Sequence, residues 1–239
     1  MAYKTHKILV IIPARGGSKR LPGKNIKKIS GKPMIAHAIL AAKESKYVDR
    51  IIVSTDDPAI AKVAKKYGAE IPFIRPAELA SDTATTLPVL QHAVAHMESH
   101  DKFKPDLVVL IQPTNPLVRS EDIDGAIKKI ITTKTNSCFT VSEISQRPEW
   151  MYHIDNKQAK LFLNEDSGPT KRSQELPRLA IINGTVYIMR YDTLMKNNLI
   201  RDNANTSIYL MPKERSVDID DLFDFKIAET LMKYDDKKK

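Results

Sequence analysis

Residues 13–25, PARGGSKRLPGKN, combine two adjacent glycines with arginine and lysine side chains directly after an apolar run. Adjacent glycines let successive backbone N–H groups approach one anion, whose charge the cationic side chains neutralise. The segment is not a P-loop, because Ser18 stands where that motif has its first glycine and Asn25 stands where it has serine or threonine. It also lacks the G-x-G-x-x-G pattern of dinucleotide-binding loops. The residue types predict a site for a compact polyanion.

The charges nearest the glycine pair belong to Arg15, Lys19 and Lys24, and the pair itself is Gly16 and Gly17. A solvated basic turn is the alternative interpretation of so short a segment. The position favours the anion site, because the segment follows the first predicted strand. In parallel α/β sheets, ligands bind beyond the carboxyl ends of the strands.

A second chemical feature is VDID, which places Asp218 and Asp220 two residues apart. On extended backbone such a pair projects to one side. Two carboxylates there suit Mg²⁺, which takes one or two carboxylates together with substrate phosphates and water. In isolation, Asp220 or Asp221 is equally explained as the cap of the helix that follows.

Strands and helices alternate through the first half of the chain. The predicted strands are 7–12, 50–55, 71–75 and 106–112, and the predicted helices are 33–46, 58–68 (ended by Gly68), 86–99 and 120–133 (capped by Ser120). Repeated βα units predict an α/β fold, with a Rossmann-like, mostly parallel sheet that has helices on both faces. The loops after Ile12, Ser54 and Gln112 are therefore expected to converge at one edge.

The alternation stops near residue 137. Short strand-like pieces predict a small β-rich arm at about 137–180, beside the main sheet. Segments 178–190 and 207–212 are predicted to return as strands, and 221–234 to form a closing helix. Since no repeat or linker separates a second unit, residues 1–239 are expected to form a single domain with an arm.

The distribution of charge narrows the class of ligand. The net charge is +9, and residues 1–43 contain ten Lys or Arg and no Asp or Glu, so the excess surrounds the basic segment. Nucleic-acid binders spread charge along a face and interleave aromatic residues, but Tyr3 is the only aromatic residue before Tyr47. A nucleoside triphosphate is therefore expected as the partner, and nucleic acid is not.

Composition also limits the cellular setting. Cys138 is the only cysteine, which excludes an internal disulfide framework and suits a reducing compartment. No apolar stretch approaches the roughly 20 residues of a membrane span. A cytoplasmic protein without a membrane partner is expected.

The sequence closely resembles the acylneuraminate cytidylyltransferases, which join a nine-carbon keto-sugar acid to CMP, consuming CTP and releasing pyrophosphate. The motifs that carry the resemblance extend from about residue 8 to 230 in the family's order: IIPARGGSKRLPGKN, GKPMIAHAI, VSTDD, LIQPTNPL, QELP, NGTVYI and VDIDDLFDF. Members of the family that act on legionaminate or pseudaminate remain open alternatives, and so do the related enzymes that activate KDO. The resemblance implies a homodimer that exchanges its arms.

The resemblance also implies roles for individual residues in binding the nucleotide. Nucleotide contacts are implied for Arg15, Gly16, Gly17, Lys19, Lys24, Asn25, Arg75, Asp82 and Thr83. Of these, Arg15 would meet charge at the α-phosphate, and Lys19 and Lys24 would meet the departing pyrophosphate. Arg75 would lie near cytosine. A surface arginine and a helix cap are the alternatives for Arg75 and for Asp82 with Thr83.

For the acceptor and the metal, the resemblance implies a second set of residues. Sugar contacts are implied for Gln112, Thr114, Arg172 and Asn183, with Arg172 favoured over Lys171 and Arg178 as the partner of the sugar carboxylate. Asp218 and Asp220 would hold Mg²⁺, and Asp218 is either a metal ligand only or also the general base. The expected reaction is direct in-line attack of the anomeric hydroxyl on the α-phosphorus of CTP. A nucleic-acid-binding module and a nucleotide-binding relative without catalysis are the rival interpretations.

Overall fold

The computed structural model describes residues 6–154, 159–163 and 172–236. The strands within these ranges are β1 (Ile8–Pro13), β2 (Lys28–Ile29), β3 (Lys32–Pro33), β4 (Arg50–Ser54), β5 (Leu107–Ile111), β6 (Ser137–Glu143), β7 (Tyr152–His153), β8 (Lys160–Leu161), β9 (Ala180–Arg190) and β10 (Thr206–Leu210). The helices are α1 (Met34–Glu44), α2 (Pro58–Tyr67), α3 (Thr86–His100), α4 (Ser120–Thr133), α5 (Tyr191–Met195) and α6 (Leu222–Asp236). Among these residues, no helix has the length and apolar character that a membrane span needs.

Six strands form the central sheet, in the order β10-β6-β9-β5-β1-β4. Strand β1 runs parallel to β4 and β5, and β10 runs parallel to β6. Strand β9 is antiparallel to both of its neighbours, β5 and β6. The predicted mostly parallel α/β sheet is confirmed.

Both faces of the sheet are covered by helices. Ile8, Val10 and Ile12 of β1 pack in one core with α1, α2 and α4, whereas Leu9 and Ile11 pack in a second core with α3 and α5. All five side chains are completely buried. A strand buried on both faces reads as a continuous apolar run, which is what KILVII shows.

Two local predictions are wrong. Segment 71–75 is not a strand: the preceding Glu70 makes one parallel bridge to Ile52, and the ladder goes no further. Pro72 has no N–H to donate, which is a physical reason for the interruption. Ser120 does not cap α4 but is its first residue, and the N–H of the preceding Arg119 donates to Asp122.

The arm begins later than predicted. Strand β6, which contains Cys138, pairs with β9 and β10 in the central sheet, so the arm does not start at 137. The part of the arm that the structure describes contains the antiparallel pair β7 and β8. Residues 155–158 and 164–171, including Lys171, lie outside the described residues.

A third apolar cluster connects distant parts of the chain. This anchor cluster consists of Leu21, Ile29, Met34, Leu117, Ile219, Phe225 and Ala228. Ile219, between the two aspartates of VDID, is completely buried in it, and Leu21 comes from the basic segment. Asp221, two residues after Ile219, caps α6 by accepting from the N–H groups of Phe223 and Asp224. The cluster therefore fixes the VDID segment against the basic segment.

Candidate active site

A cleft of about 490 Å³ opens at the carboxyl ends of β1 and β5. We call it the basic cleft; its charged lining residues are Arg15, Lys19, Arg20, Lys24, Asp82 and Asp220. Gln112 and Thr114, from the loop after β5, complete the wall beside the basic segment. The end of β4 and the loop after it support the basic segment, since Ala14 N–H donates to the Ser54 carbonyl at 2.9 Å and Gly16 N–H donates to Asp56. The three loops therefore converge, as predicted.

One backbone donor of the glycine pair is used within the protein. The N–H of Gly16 donates to the Asp56 carboxylate at 3.1 Å, so this donor is already used within the protein. Neither Gly16 nor Gly17 is among the residues that line the basic cleft. The positive charge of the cleft comes from side chains, and the glycines allow the chain to pass close to the loop after β4.

Alanine at Gly16 and alanine at Gly17 are expected to have unequal effects on stability. A Cβ on Gly16 would lie 2.8 Å from Asp57 Oδ2 and 3.0 Å from Asp57 Cβ, whereas a Cβ on Gly17 meets nothing within 4 Å. Asp57 caps α2, so relief of the clash would disturb that cap. We expect Gly16→Ala to lower the free energy of unfolding by about 1–3 kcal/mol. Gly17→Ala is expected to stay within about 0.5 kcal/mol of the wild type.

Urea unfolding of the two glycine variants and the wild type, followed by circular dichroism, measures these differences. Equal losses for both variants would show that the close approach to Asp57 does not hold the loop.

Asp82 holds two of the predicted phosphate-binding cations. Its carboxylate accepts from Arg15 Nη1 at 2.8 Å and forms an ion pair with Lys19. The hydrogen bond from Lys19, together with the charge of Arg15, lowers the pKa of Asp82 below its ordinary value. Asp82 does not cap α3, which begins four residues later at Thr86. An anion that enters the cleft therefore competes with this carboxylate for both cations.

Asp82→Asn is accordingly expected to decrease the KM for the anionic substrate of the cleft. The decrease should be larger at low ionic strength, because exposed charges are screened by salt. Steady-state KM values at two salt concentrations test this, with Glu78→Gln, an exposed acid of the same loop, as the control. An increase in KM would instead assign Asp82 a direct contact with the nucleotide.

Lys24 connects the basic segment to the VDID segment. Its Nζ donates to the Ile219 carbonyl at 2.9 Å and lies 3.6 Å from Asp220 Oδ1. Arg20 donates to the other oxygen of Asp220 at 3.1 Å. Arg20 was not among the predicted site residues, although its charge within the basic segment was a signal for it. The cations and Asp220 thus share one cleft.

Asp218 lies beside this cleft and has an altered acidity. Its carboxyl keeps contact with solvent, yet the surrounding protein removes part of its hydration, and this is the main cause that raises its pKa. The charge of Asp220 raises the pKa further, while the nearby Thr114 hydroxyl and Lys24 oppose the increase. The segment is held in place because Ile219 N–H donates to the Thr114 carbonyl at 2.9 Å.

The two aspartates fit a magnesium ion whose remaining ligands come from a substrate and from water. Within the described ranges no group of three or more His, Cys, Asp or Glu side chains is arranged to hold a metal. Asp218 and Asp220 are close enough for the charge of one to raise the pKa of the other. Two neighbouring carboxylates are the number that Mg²⁺ takes when phosphates and waters supply its other ligands.

A second cavity, of about 450 Å³, adjoins the basic cleft. Gln112 lines both spaces, and Tyr187 of β9 and Arg201 line the second one. Burial is the main cause that raises the pKa of Tyr187, and the charge of Asp218 adds to the increase. The charge of Asp218 is thus felt by Tyr187 of the second cavity, and the pKa of Asp218 in turn responds to Lys24 of the basic cleft. We call this second space the polar cavity.

Two predicted nucleotide contacts are supporting residues in this structure. Asn25 is buried and donates to the Arg15 carbonyl at 2.9 Å, which fixes the backbone beneath that arginine. Arg75 is 6% exposed and donates to the hydroxyl and the carbonyl of Ser54. Burial lowers the pKa of Arg75, and the charge of Arg15 adds to this effect. Thr83, which was also predicted to contact the nucleotide, is exposed.

Of the predicted sugar contacts, Asn183 and Arg172 are not in either cavity. The Asn183 amide is buried; it accepts from Thr140 Oγ1 at 2.7 Å and donates to Ser216 Oγ at 2.9 Å. It turns inward because β6 and β9 change register here, next to Gly184, whose φ is 70°. Arg172 is exposed and borders the arm.

Concentrated positive charge at the carboxyl edge of a mostly parallel sheet defines an α/β enzyme that handles phosphorylated substrates. A family model described as Cytidylyltransferase matches residues 9–231. The chain belongs to this family of nucleotidyltransferases, as the sequence motifs predicted.

Two relatives and one solved structure illustrate the similarity. The CMP-N,N'-diacetyllegionaminic acid synthase of Legionella pneumophila is 36% identical over 228 residues, which cover 95% of this chain and 96% of the relative. The N-acylneuraminate cytidylyltransferase of Escherichia coli is 31% identical over 98% of this chain and 54% of its own length. A CMP:2-keto-3-deoxy-manno-octonic acid synthetase solved in complex with CTP shares the fold, with a TM-score of 0.72 and 22% identity over 96% of this chain and 99% of that one.

Proposed function

We propose that this cytidylyltransferase transfers CMP from CTP to a nonulosonic, sialic-type sugar acid and releases pyrophosphate. The observation that carries the proposal is the meeting of two spaces at Gln112, one lined mainly by cations and the other by polar and apolar side chains. A nucleotidyl transfer needs such a pair, one space for the triphosphate and one for the acceptor. The names of the two relatives, both enzymes of sialic-type acids, support the choice of acceptor.

In the proposed reaction, side chains of the basic cleft bind and orient the triphosphate. Arg15 faces the α-phosphate, where charge develops, and Lys19 and Lys24 bind the part that leaves as pyrophosphate. Fixed cations that face developing charge are the main source of catalysis in phosphoryl transfer. The anomeric hydroxyl of the sugar displaces pyrophosphate directly, so that one P–O bond forms as another breaks.

Asp218 and Asp220 would hold Mg²⁺ together with the phosphates. When bound, Mg²⁺ neutralises phosphate charge and favours ionisation of a hydroxyl beside it. The raised pKa of Asp218 also suits acceptance of the proton from the attacking hydroxyl. We propose Asp218 as both ligand and proton acceptor, and Gln112 and Thr114 as contacts for the sugar.

We further propose a homodimer in which the arms are exchanged, and a cytoplasmic location, where CTP is available. Large apolar side chains on and beside the arm support the dimer: Trp150, Met151, Tyr152, Ile154, Phe162 and Ile181 are 41–103% exposed. Such a patch on a small arm is expected at a protein interface. Exchange would bring Arg172 of one chain toward the polar cavity of the other. Light scattering coupled to gel filtration tests the dimer.

The test of the proposed function is incubation of the full chain with CTP, Mg²⁺ and one of four acids. The acids are N-acetylneuraminate, N,N'-diacetyllegionaminate, pseudaminate and KDO, and the products measured are pyrophosphate and the CMP-sugar. We expect turnover with at least one nine-carbon acid and preference for CTP over UTP, ATP and GTP. Absence of pyrophosphate with all three nine-carbon acids would overturn the proposal, and turnover with KDO alone would assign the eight-carbon acceptor.

A further inference from the structure

We infer that Arg201 is the side chain that binds the carboxylate of the acceptor sugar and thereby selects acids over neutral sugars. This inference rests on the proposed function, since it takes the polar cavity as the acceptor site. Of the described residues that line this cavity, Arg201 is the only one with a charge; the others are polar or apolar. A ligand that carries one carboxylate and several hydroxyl groups matches such a lining.

Arg201 has the free charge that this role requires. Its guanidinium lies 5.8 Å from the centre of the Phe139 ring, and no ion pair with a carboxylate is found for it among the described residues. By contrast, Arg178, one of the cations considered from the sequence, pairs with Glu143 at 3.0 Å. Arginine binds carboxylates with two parallel hydrogen bonds, which fixes the orientation of the acid as well as its charge.

The loop that carries Arg201 is held on both sides. Gln91 of α3 donates to Asn198 Oδ1 at 2.7 Å and to the Leu194 carbonyl at 3.0 Å. On the other side, the Asp202 N–H donates to Ser137 Oγ at 2.9 Å, and the Asp202 carboxylate accepts from Asn136 at 2.9 Å. A binding side chain on a fixed loop loses less entropy when its ligand arrives.

The position of Arg201 relative to Asp218 agrees with the chemistry of the acceptor. The charges of both residues act on the Tyr187 hydroxyl, Arg201 lowering and Asp218 raising its pKa, while burial is the main influence. Tyr187, which lines the polar cavity together with Arg201, is therefore within the electrostatic influence of a cation and of a carboxylate. In a 2-keto sugar acid, the carboxylate and the attacking hydroxyl are bonded to the same carbon. One cation for the first group and one proton acceptor for the second must then lie on neighbouring sides of one site.

The experiment compares the wild type with Arg201→Met and Arg201→Lys, using N-acetylneuraminate and its neutral C1 carboxamide as acceptors. Methionine keeps an apolar stem against Phe139, and lysine restores the charge without the paired hydrogen bonds. For Arg201→Met we expect kcat/KM for the acid to fall roughly 10- to 100-fold, and KM for CTP to change little. The carboxamide should be a poor acceptor for the wild type and should lose little further in Arg201→Met, with Arg201→Lys intermediate for the acid.

Two other cations complete the comparison. Lys196→Met is the neutral control, because Lys196 is only five residues before Arg201 and pairs with Asp192 at the surface, outside the polar cavity. Arg172→Met tests the rival that the sequence favoured. If Arg172→Met abolishes the preference for the acid over the carboxamide and Arg201→Met does not, the inference is wrong. It is also wrong if the acid and the carboxamide lose equally in Arg201→Met.

A binding measurement separates this inference from the proposed function. Calorimetry of each acceptor with the enzyme and the non-hydrolysable analogue α,β-methylene-CTP gives affinities without turnover. Arg201-dependent binding of the acid without turnover would overturn the proposed function and retain the inference. Turnover without any dependence on Arg201 would overturn the inference and retain the proposed function. The absence of turnover together with the absence of binding would overturn the inference and the proposed function alike.

Discussion

Lys24→Met is expected to lower kcat/KM for CTP about 10²- to 10³-fold, equivalent to about 3–4 kcal/mol of transition-state stabilisation. The side chain of Lys24 is 14% exposed, and its ammonium is fixed by the Ile219 carbonyl and Asp220. A cation so fixed needs no reorganisation as negative charge moves onto the departing pyrophosphate. The loss should therefore appear mainly in kcat, as measured by pyrophosphate release at saturating CTP.

Methionine retains the hydrocarbon stem of Lys24 but not its hydrogen bond, so stability must be measured beside activity. Lys28→Met is the matched control, because Lys28 is an exposed lysine of the same charged region outside the basic cleft. If Lys24→Met and Lys28→Met lose activity equally, the basic cleft does not hold the triphosphate. A melting temperature unchanged in Lys24→Met would confirm that the effect is on catalysis.

Asp218→Asn is expected to reduce kcat by at least about 10²-fold, the lower range for loss of a general base. The ionised form of Asp218 is the active one as ligand or proton acceptor. Its pKa lies above the ordinary value, so wild-type activity should fall as the pH decreases through this raised pKa. Asp220→Asn removes one cause of the increase and should shift that acidic limb to lower pH. Profiles of kcat/KM against pH for the three proteins test the assignment.

The melting temperature of Asp218→Asn shows whether its loss of activity is a loss of catalysis or a result of unfolding. A carboxyl group with a raised pKa in the folded state favours folding most at low pH, and this contribution is lost as the pH rises through the folded pKa. Asparagine resembles the protonated group, so Asp218→Asn should melt no lower than the wild type at neutral pH. Asp192→Asn, on α5, is the control for removal of a surface charge. An acidic limb that is identical in wild type and Asp220→Asn would contradict the assignment to Asp218.

Magnesium is tested by direct binding as well as by activity. Mn²⁺, a spectroscopic substitute, should bind in the presence of CTP to the wild type and much less to Asp218→Asn or Asp220→Asn. Equilibrium dialysis measures the bound ion without turnover. Equal binding by all three proteins would place the metal elsewhere.

The sheet and the order of its elements were predictable because a strand that is buried on both faces is a continuous apolar run in the sequence. Runs such as KILVII and DLVVLIQ contain almost no polar residue, and Gly68 marks the end of α2 between them. The exception, segment 71–75, has the composition of a strand, but Pro72 interrupts the hydrogen-bonding pattern. Composition alone does not show which N–H groups a neighbouring strand requires.

The parts of the site that consist of charged residues near a strand end were predictable. The parts in which backbone geometry sets the direction of a side chain were less so. The irregular pairing at Gly184, with φ of 70°, directs the Asn183 amide into the protein. The Asn-Gly pair of NGTVYI is a signal for such an irregularity, but it does not show which way the amide turns. Arg201 escaped notice because its loop joins the cavity only through tertiary contacts of α3 and β6. A charge with no motif around it gives no local signal.

Because of the anchor cluster, the basic cleft is complete only when segments from the two ends of the sequence have packed together. The hydrogen bond between Lys24 and Ile219 spans 195 residues. Contacts so distant in sequence form slowly, since a large loop must close first. During synthesis, a growing chain would already hold its cationic loop and most of its sheet while it still lacked both aspartates. Such a chain would lack the contacts that fix Lys24, so the basic cleft would be complete only after the segment around Ile219 has docked.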